Sequence, residues 1–352
     1  MGWFPVDPQS ITPEWLGGVL GAEVRDLRIE QIGIGIGILG RLYRAHLAGT
    51  NVPPSVVVKL PTLDQQARTG MCEPLDLYRR EVCFYKEIGL ANPLKPATPY
   101  FVAFDEDTHD FVLVLEDLRD RRLADQTVGC SAGDAQTVID AIAEHHAYWW
   151  DSDQFSALPW LRAYQTPPFP QVLAAAFEQR WPPFLELVGT DLSAEMRSFG
   201  DRLPVLMPWY LEQIARPPIT FCHGDLRLDQ LFFAVQPSDP PVTALDWQVA
   251  SLARGAYDLA YFLSQSLTTE TRHTCEATLI DRYRQRLAEH GIDYPANELQ
   301  RDYRLTAALC FIYPVLAAGQ IANDRQVDLL RVMATNAAAA IEDNDALALK
   351  PD

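Results

Sequence analysis

Residues 221–233 read Phe-Cys-His-Gly-Asp-Leu-Arg-Leu-Asp-Gln-Leu-Phe-Phe, a polar cluster from His223 to Gln230 between apolar flanks. Flanks of this kind can be buried on either side and so hold a reactive loop on a packed scaffold. Asp225 and Gln230 are five residues apart, the spacing at which a phosphoryl-transfer loop sets its base and its metal-binding amide. Further on, Val242-Thr-Ala-Leu-Asp246-Trp-Gln reads as a short apolar strand ending in a lone carboxylate, which suits a Mg²⁺ ligand. Phosphoryl transfer asks mainly for positioning and charge neutralisation. In that chemistry Asp225 accepts or orients the proton of an acceptor hydroxyl. Arg227, on the same side of an extended loop, neutralises charge on the transferring group. Asp246 holds the metal, and Gln230 adds a hard amide oxygen. His223 is expected to buttress the loop through hydrogen bonds. Asp258 is expected to anchor it from behind. Asp229 stays open between solvent, a capping role and a substitute metal ligand.

These groups need a partner element for the nucleotide. Val24 to Ile32 alternates as a half-buried strand does and leads into Gly33-Ile-Gly35-Ile-Gly37-Ile-Leu-Gly40. A Gly35-x-Gly37-x-x-Gly40 match also fits the dinucleotide-binding fold, but that fold requires a helix next. Here Arg41 to Leu47 reads as a strand, 48–54 as a turn, and Ser55-Val-Val-Val-Lys59 as another strand. The glycines therefore belong to a hairpin whose backbone can close over triphosphate oxygens. Lys59 ends a valine run, so its ammonium needs an anion. Nucleotide phosphates and Glu81, on the helical pattern of Leu77, Phe84, Tyr85 and Ile88, are the candidates. Glu81 could instead pair with Arg79 or Lys86, and Glu73 and Glu87 are further acids of the same stretch. After a Pro-rich turn at 92–99, strands at 100–104 and 111–115 run into Glu116-Asp-Leu118, where charge takes over. A hinge there would offer the C=O of Glu116 and the N–H of Leu118 to an adenine edge. The chain is expected to divide at this point into domains 1–118 and 119–352.

From Ser131 onward the pattern is helical. Residues 138, 139, 142, 143, 146 and 149 share one face, with His146 expected as a hydrogen-bonded core residue. Tryptophans and tyrosines from Trp149 to Tyr210, among Pro pairs at 167–168 and 182–183, suggest helices broken by proline. They suit either the wall of a ring-binding pocket or ordinary core. Residues 276–290 and 303–343 are helical again. Composition narrows the partners. Lys plus Arg number 29 against 47 Asp plus Glu, a net charge of -18 that repels phosphate backbones and anionic lipid. Neither nucleic acid nor a membrane is expected as a partner. Six scattered cysteines show no metal or disulfide spacing, and no segment reads as a signal peptide or span. A cytoplasmic protein with free thiols is expected.

Taken together, Gly33 to Gly40, Val56-Val-Val-Lys59, Leu113 to Leu118, His146-Ala-Tyr-Trp149, His223 to Gln230, Leu245-Asp-Trp-Gln248 and Tyr257-Asp-Leu-Ala-Tyr261 resemble the aminoglycoside phosphotransferase-like kinases. Within these the chain is similar to the CHK-like branch, with its ecdysteroid kinase-like proteins and bacterial relatives. The resemblance implies an α+β, two-lobed protein kinase-like fold, with a small antiparallel β N-lobe and a larger, mostly helical C-lobe. It also implies ATP (sometimes GTP) with Mg²⁺ as cofactors and O-phosphorylation of a small-molecule hydroxyl. Gln230 departs from the family's usual Asn, and the extra methylene shifts the amide by roughly 1 Å, enough to weaken metal positioning. An ATP-dependent small-molecule kinase is the expected function, with a nucleotide-binding pseudokinase as the rival that Gln230 supports. The acceptor stays open among antibiotics, sugars, amino alcohols, terpenoids and steroids; the aromatics lean towards a bulky ring compound.

Overall fold

The computed structural model describes residues 3–33, 39–318, 323–349 and 351. Alternation along the strands builds the first layer. In β3 (Ser55–Pro61), Val56, Val58 and Leu60 enter one apolar core, and Lys59 between them faces the opposite side. That core is closed by α1 (Pro13–Leu20) through Leu16, with Phe4 and Ile11 beside it. Thr12 caps α1, its Oγ1 accepting from Trp15 N–H at 3.2 Å, and Pro13 sits at the first helical position. The sheet runs β1 (Glu23–Ile32), β2 (Gly40–Thr50), β3, β6 (Phe111–Glu116), β5 (Pro99–Phe104), antiparallel at every pairing. A strand follows Gly40, so the hairpin reading holds there; Gly35 and Gly37 lie outside the described residues.

After the single turn α2 (Gln65–Ala67), α3 (Leu77–Cys83) packs on the other face of the sheet and continues as wider turns through Phe84–Ile88. Tyr78 of α3 stacks on Phe111 and donates to the Leu39 carbonyl at 2.7 Å, which ties the helix to the end of the glycine segment. The 92–99 stretch differs from the expected plain turn. It holds β4 (Lys95–Pro96), which pairs in parallel with β10 (Val242–Ala244). Two residues carry no readable period, so that pairing depends wholly on tertiary placement. With β7 (Arg122–Leu123) and β9 (Leu231–Phe233) they form a second sheet, ordered β4-β10-β9-β7. A third pairs β8 (Thr220–Cys222) with β11 (Ser251–Ala253).

Helices make up most of the remainder: α4 (Ala132–Tyr148), α5 (Phe169–Val188), α6 (Ala194–Ile214), α7 (Ala256–Ser266), α8 (Thr269–Glu289), α9 (Ala296–Cys310), α10 (Ile312–Ala317) and α11 (Asp324–Asp343). Every residue of α7 is buried, which makes it the central helix. Prolines do not break α5 or α6 as expected. Pro182 and Pro183 lie inside α5, and Pro204 and Pro208 inside α6. Each removes a backbone donor, but neighbours such as Trp181, Phe184, Leu203 and Met207 are buried, and their packing holds the helices across the gap. The tryptophans resolve towards core. Trp149, Trp160 and Trp181 are buried and donate their indole N–H to Asn92, Glu87 and Asp201 respectively. No helix among the described residues is long and apolar enough to cross a membrane, and all six cysteines are free.

α4 also turns His145 into the core against Phe221 and Trp247, and neither ring nitrogen finds a hydrogen-bond partner. Burial, with His146 next to it, holds its pKa well below the ordinary value of 6.5. The unfolded chain then binds this proton first, so stability is kept above pH 6.5 and lost as pH falls below it. His145→Leu removes the titrating group. Compared with wild type in urea unfolding, the variant should lose about 1.4 kcal/mol less per pH unit on the acid side; parallel curves would contradict this.

Candidate active site

The 221–233 stretch leaves β8 and turns at once. Gly224 has φ 89°, and a Cβ there would lie 2.2 Å from the Tyr164 hydroxyl and 2.5 Å from the Val249 carbonyl. The turn admits glycine alone. Asp258, in the first turn of α7, accepts from His223 N–H at 2.7 Å and Gly224 N–H at 3.0 Å. His146 Nε2 lies 3.2 Å from the same carboxylate, and His146 Nδ1 lies 2.8 Å from the Tyr283 hydroxyl. Burial alone would raise the Asp258 pKa. The hydrogen bond and charge of His146, with His223 and the Gly224 N–H, outweigh burial and hold it below the usual carboxylate value. His223 Nε2 reaches the Leu245 carbonyl at 2.8 Å, so it joins this loop to the strand end that carries Asp246.

On this base the Asp225 carboxylate is held at both oxygens. Oδ1 accepts from Tyr261 O–H at 2.7 Å and Arg227 Nε at 3.3 Å, and Oδ2 accepts from Gln230 Nε2 at 3.1 Å. Arg227 bridges onward to Asp229, 2.6 Å from its Nη1. Burial works against the Arg227 charge, but Asp225 and Asp229 outweigh it and raise its pKa. Asp229, open from sequence, is thus the second carboxylate of a buried Arg227 clamp. Gln230 spends its amide nitrogen on Asp225, which leaves the amide oxygen as the end that can face a cation.

The sheet side meets this loop through Lys59. Its Nζ lies 2.7 and 2.9 Å from the two Glu81 oxygens and 3.0 Å from Asp246 Oδ1. Arg79 and Lys86 do not take Glu81, and the other acids are engaged elsewhere, Glu73 by Arg68 and Glu87 by Trp160. Burial opposes the Lys59 charge, and the carboxylates of Asp246 and Glu81 more than reverse it, raising its pKa. Glu81 is also pushed up, first by burial and then by the Asp246 charge across the lysine. Asp246 takes a left-handed backbone, φ 63°, a strained position of the kind that gathers at functional sites. Trp247 beside it stacks on Phe84 at 4.0 Å and fixes that bend against α3. Lys59 also passes close over Gly40, where a Cβ would meet Lys59 Cε at 3.2 Å.

At the end of β6, Glu116 N–H donates to the Thr98 carbonyl at 2.8 Å, and the Leu118 carbonyl accepts from Arg121 N–H at 2.9 Å. The backbone groups expected to meet an adenine, the Glu116 C=O and the Leu118 N–H, lie on either side of these bonds. Asp117 between them binds Arg44 and Ser55 at 2.7 and 2.6 Å, pinning this end of the chain to the sheet. A cavity of about 170 Å³ opens beside Asp225, Arg227, Gln230 and Asp246. Its other walls are largely apolar and include Met71, Leu75, Phe169, Leu173, Leu330 and Met333. No tryptophan lines it. Tyr261 and Tyr313 stack at 4.2 Å and line the cavity; the motif ending at Tyr261 assigns it no role from sequence, and Tyr313 lies outside every motif. Tyr261 stands one turn past Asp258 on α7, and that spacing was the available signal.

A model of the ecdysteroid kinase-like family matches residues 38–293. The chain belongs to the ecdysteroid kinase-like family. No curated protein sequence matches it. Solved structures show where this member's fold stands. The GDP and kanamycin complex of APH(2")-IIia is 15% identical, with a TM-score of 0.56 over 96% of this chain and 99% of the other. Ethanolamine kinase from Plasmodium vivax is 14% identical, with a TM-score of 0.52 over 92% and 85%. Choline kinase LicA from Streptococcus pneumoniae is 15% identical, with a TM-score of 0.51 over 92% of this chain and 96% of the other. The family member therefore has the α+β, two-lobed kinase-like fold.

Lys59 is the counter-charge for two acids, so its removal is informative. In Lys59→Met both carboxylates lose their cation while Glu81 stays buried. The variant should lose roughly 3–5 kcal/mol at about pH 8 and less towards about pH 5, where the acids can protonate. A pH-independent loss in denaturant unfolding would sink this account.

Proposed function

We propose that this family member transfers the γ-phosphoryl group of ATP to a hydroxyl of a bulky, largely apolar small molecule. The observation that carries the reading is that Asp246, held 3.0 Å from Lys59, lines the same cavity as Asp225. Residues 1–118 form the nucleotide side of our reading and 119–352 the side of the acceptor and the metal. In the reaction, the acceptor oxygen forms a bond to the γ-phosphorus as the bond to the β–γ bridging oxygen breaks. ADP departs with that oxygen, and the hydroxyl proton passes to Asp225. Tyr261, Arg227 and Gln230 orient the Asp225 carboxylate for this role. Lys59 pairs with nucleotide phosphates while Glu81 holds its stem in place. The backbone of Glu116 and Leu118 receives the adenine, and Gly35, Gly37 and Gly40 cover the phosphates. GTP would fit the same roles.

Mg²⁺ suits the groups present. Counted as ionised, Asp225, Asp229, Asp246 and Glu81 exceed Lys59 and Arg227 by two negative charges, and the free donors are hard oxygens. Asp246 and the Gln230 amide oxygen would hold the ion. When bound it supplies charge neutralisation at the phosphates. The cavity favours an apolar acceptor over a polycation, because its acidic lining is limited to Asp225 and Asp246.

ATP consumption against a panel of hydroxylated steroids, terpenoids, macrolides, kanamycin and choline tests the reading. Turnover should appear with the apolar members, and Asp225→Asn should reduce it by roughly 10²–10⁴-fold while nucleotide binding persists. Gln230→Asn restores the shorter amide and should raise turnover if the longer one misplaces the metal. Nucleotide binding with no turnover across the panel would instead establish a pseudokinase.

A further inference from the structure

Arg180 differs from every other charged group lining the cavity. Asp225, Arg227 and Asp246 belong to the catalytic cluster, whereas Arg180 stands on α5 on the face that carries Phe169 and Leu173. Its guanidinium donates to the Leu316 carbonyl, and no ion pair includes it among the described residues. The acid that acts on its charge, Asp64, is exposed, and burial against apolar neighbours holds its pKa below the ordinary arginine value. Among the described residues no acid comes within ion-pairing distance of this cation, which faces a largely apolar wall with donors to spare.

Its position along α5 sets a span. Phe169, at the start of α5, lies 4.9 Å from the Tyr164 ring, and Tyr164 bonds the Val249 carbonyl behind the Gly224 turn. The catalytic loop is therefore at the Phe169 end. Arg180 is three turns further on, and its side chain slants back towards the helix start, which leaves on the order of 10–15 Å between guanidinium and Asp225. We propose that the acceptor is an amphipathic acid, whose carboxylate pairs with Arg180 across an apolar body while its hydroxyl reaches Asp225. This rests on the phosphotransfer reading for the hydroxyl end. The anion end stands on the cavity alone. A cationic acceptor would place its charge against Arg180 and meet no acid on that wall.

The test uses the full chain and 12-hydroxydodecanoate, with its methyl ester as the neutral match; a flexible chain probes charge and span without presuming a ring system. By titration calorimetry, wild type should bind the acid roughly 10- to 100-fold more tightly than the ester, the range of a charge-assisted hydrogen bond. The preference should weaken with added salt. Arg180→Met should abolish it, and Arg180→Glu should reverse it in favour of 12-amino-1-dodecanol, with unfolding midpoints reporting that both variants are folded. If a variant fails to fold, the wild-type acid-to-ester ratio and its salt dependence decide alone. Equal binding of acid and ester, binding of neither, or a preference that survives Arg180→Met overturns the proposal. Product formation is measured separately on the same probes. Arg180-dependent acid binding without product rejects phosphotransfer and keeps the anion site, whereas product from both probes alike does the reverse.

Discussion

Lys59 joins two carboxylates that lie 22 and 187 residues away along the chain. The cluster is buried, so its electrostatics are strong and intolerant of a missing partner. It requires β3 to present a lysine on the face opposite its valines, α3 to present Glu81, and the segment after β10 to bend so that Asp246 returns towards the sheet. The stacking of Trp247 on Phe84 makes the last two conditions one, since α3 and the Asp246 bend share that contact.

A second buried centre sets the loop that faces this cluster. Asp258 binds two consecutive backbone N–H groups, and His146 holds it from the far side. His146, Cys222 and Asp258 lie close enough together to suggest metal ligands, but hydrogen bonds already occupy the histidine and the acid. A carboxylate that stays ionised in full burial because its lone pairs are filled behaves as a rigid peg. Asp225 inherits its precision from it: the loop cannot shift without stranding Asp258.

Charge is divided unevenly over the molecule. The chain carries -18 overall, yet the wall of its cavity away from Asp225 and Asp246 is largely apolar and carries Arg180. The overall sign biases the protein against polyanions at long range. Short-range selection belongs to the cavity, where low polarity magnifies single charges.

Sequence alone determined what rests on period and local chemistry. Alternating valines, the Thr12-Pro13 helix start, the absence of a helix after Gly40 and the ordered polar motifs brought Lys59, Glu81, Asp225 and Asp246 into view, and the resemblance those motifs carry implied the fold class. Each of these depends on neighbours within a few residues. Tertiary structure decided the rest, because the deciding partners are remote. It paired Lys95–Pro96 with β10, carried α5 and α6 through their prolines, and sent the tryptophans into the core. It gave Asp229 to Arg227 and turned the Gln230 nitrogen to Asp225. Tyr313 and Arg180 became legible only in space, since a tyrosine on a short helix and an arginine on an amphipathic one look ordinary until a cavity is seen to open beside them.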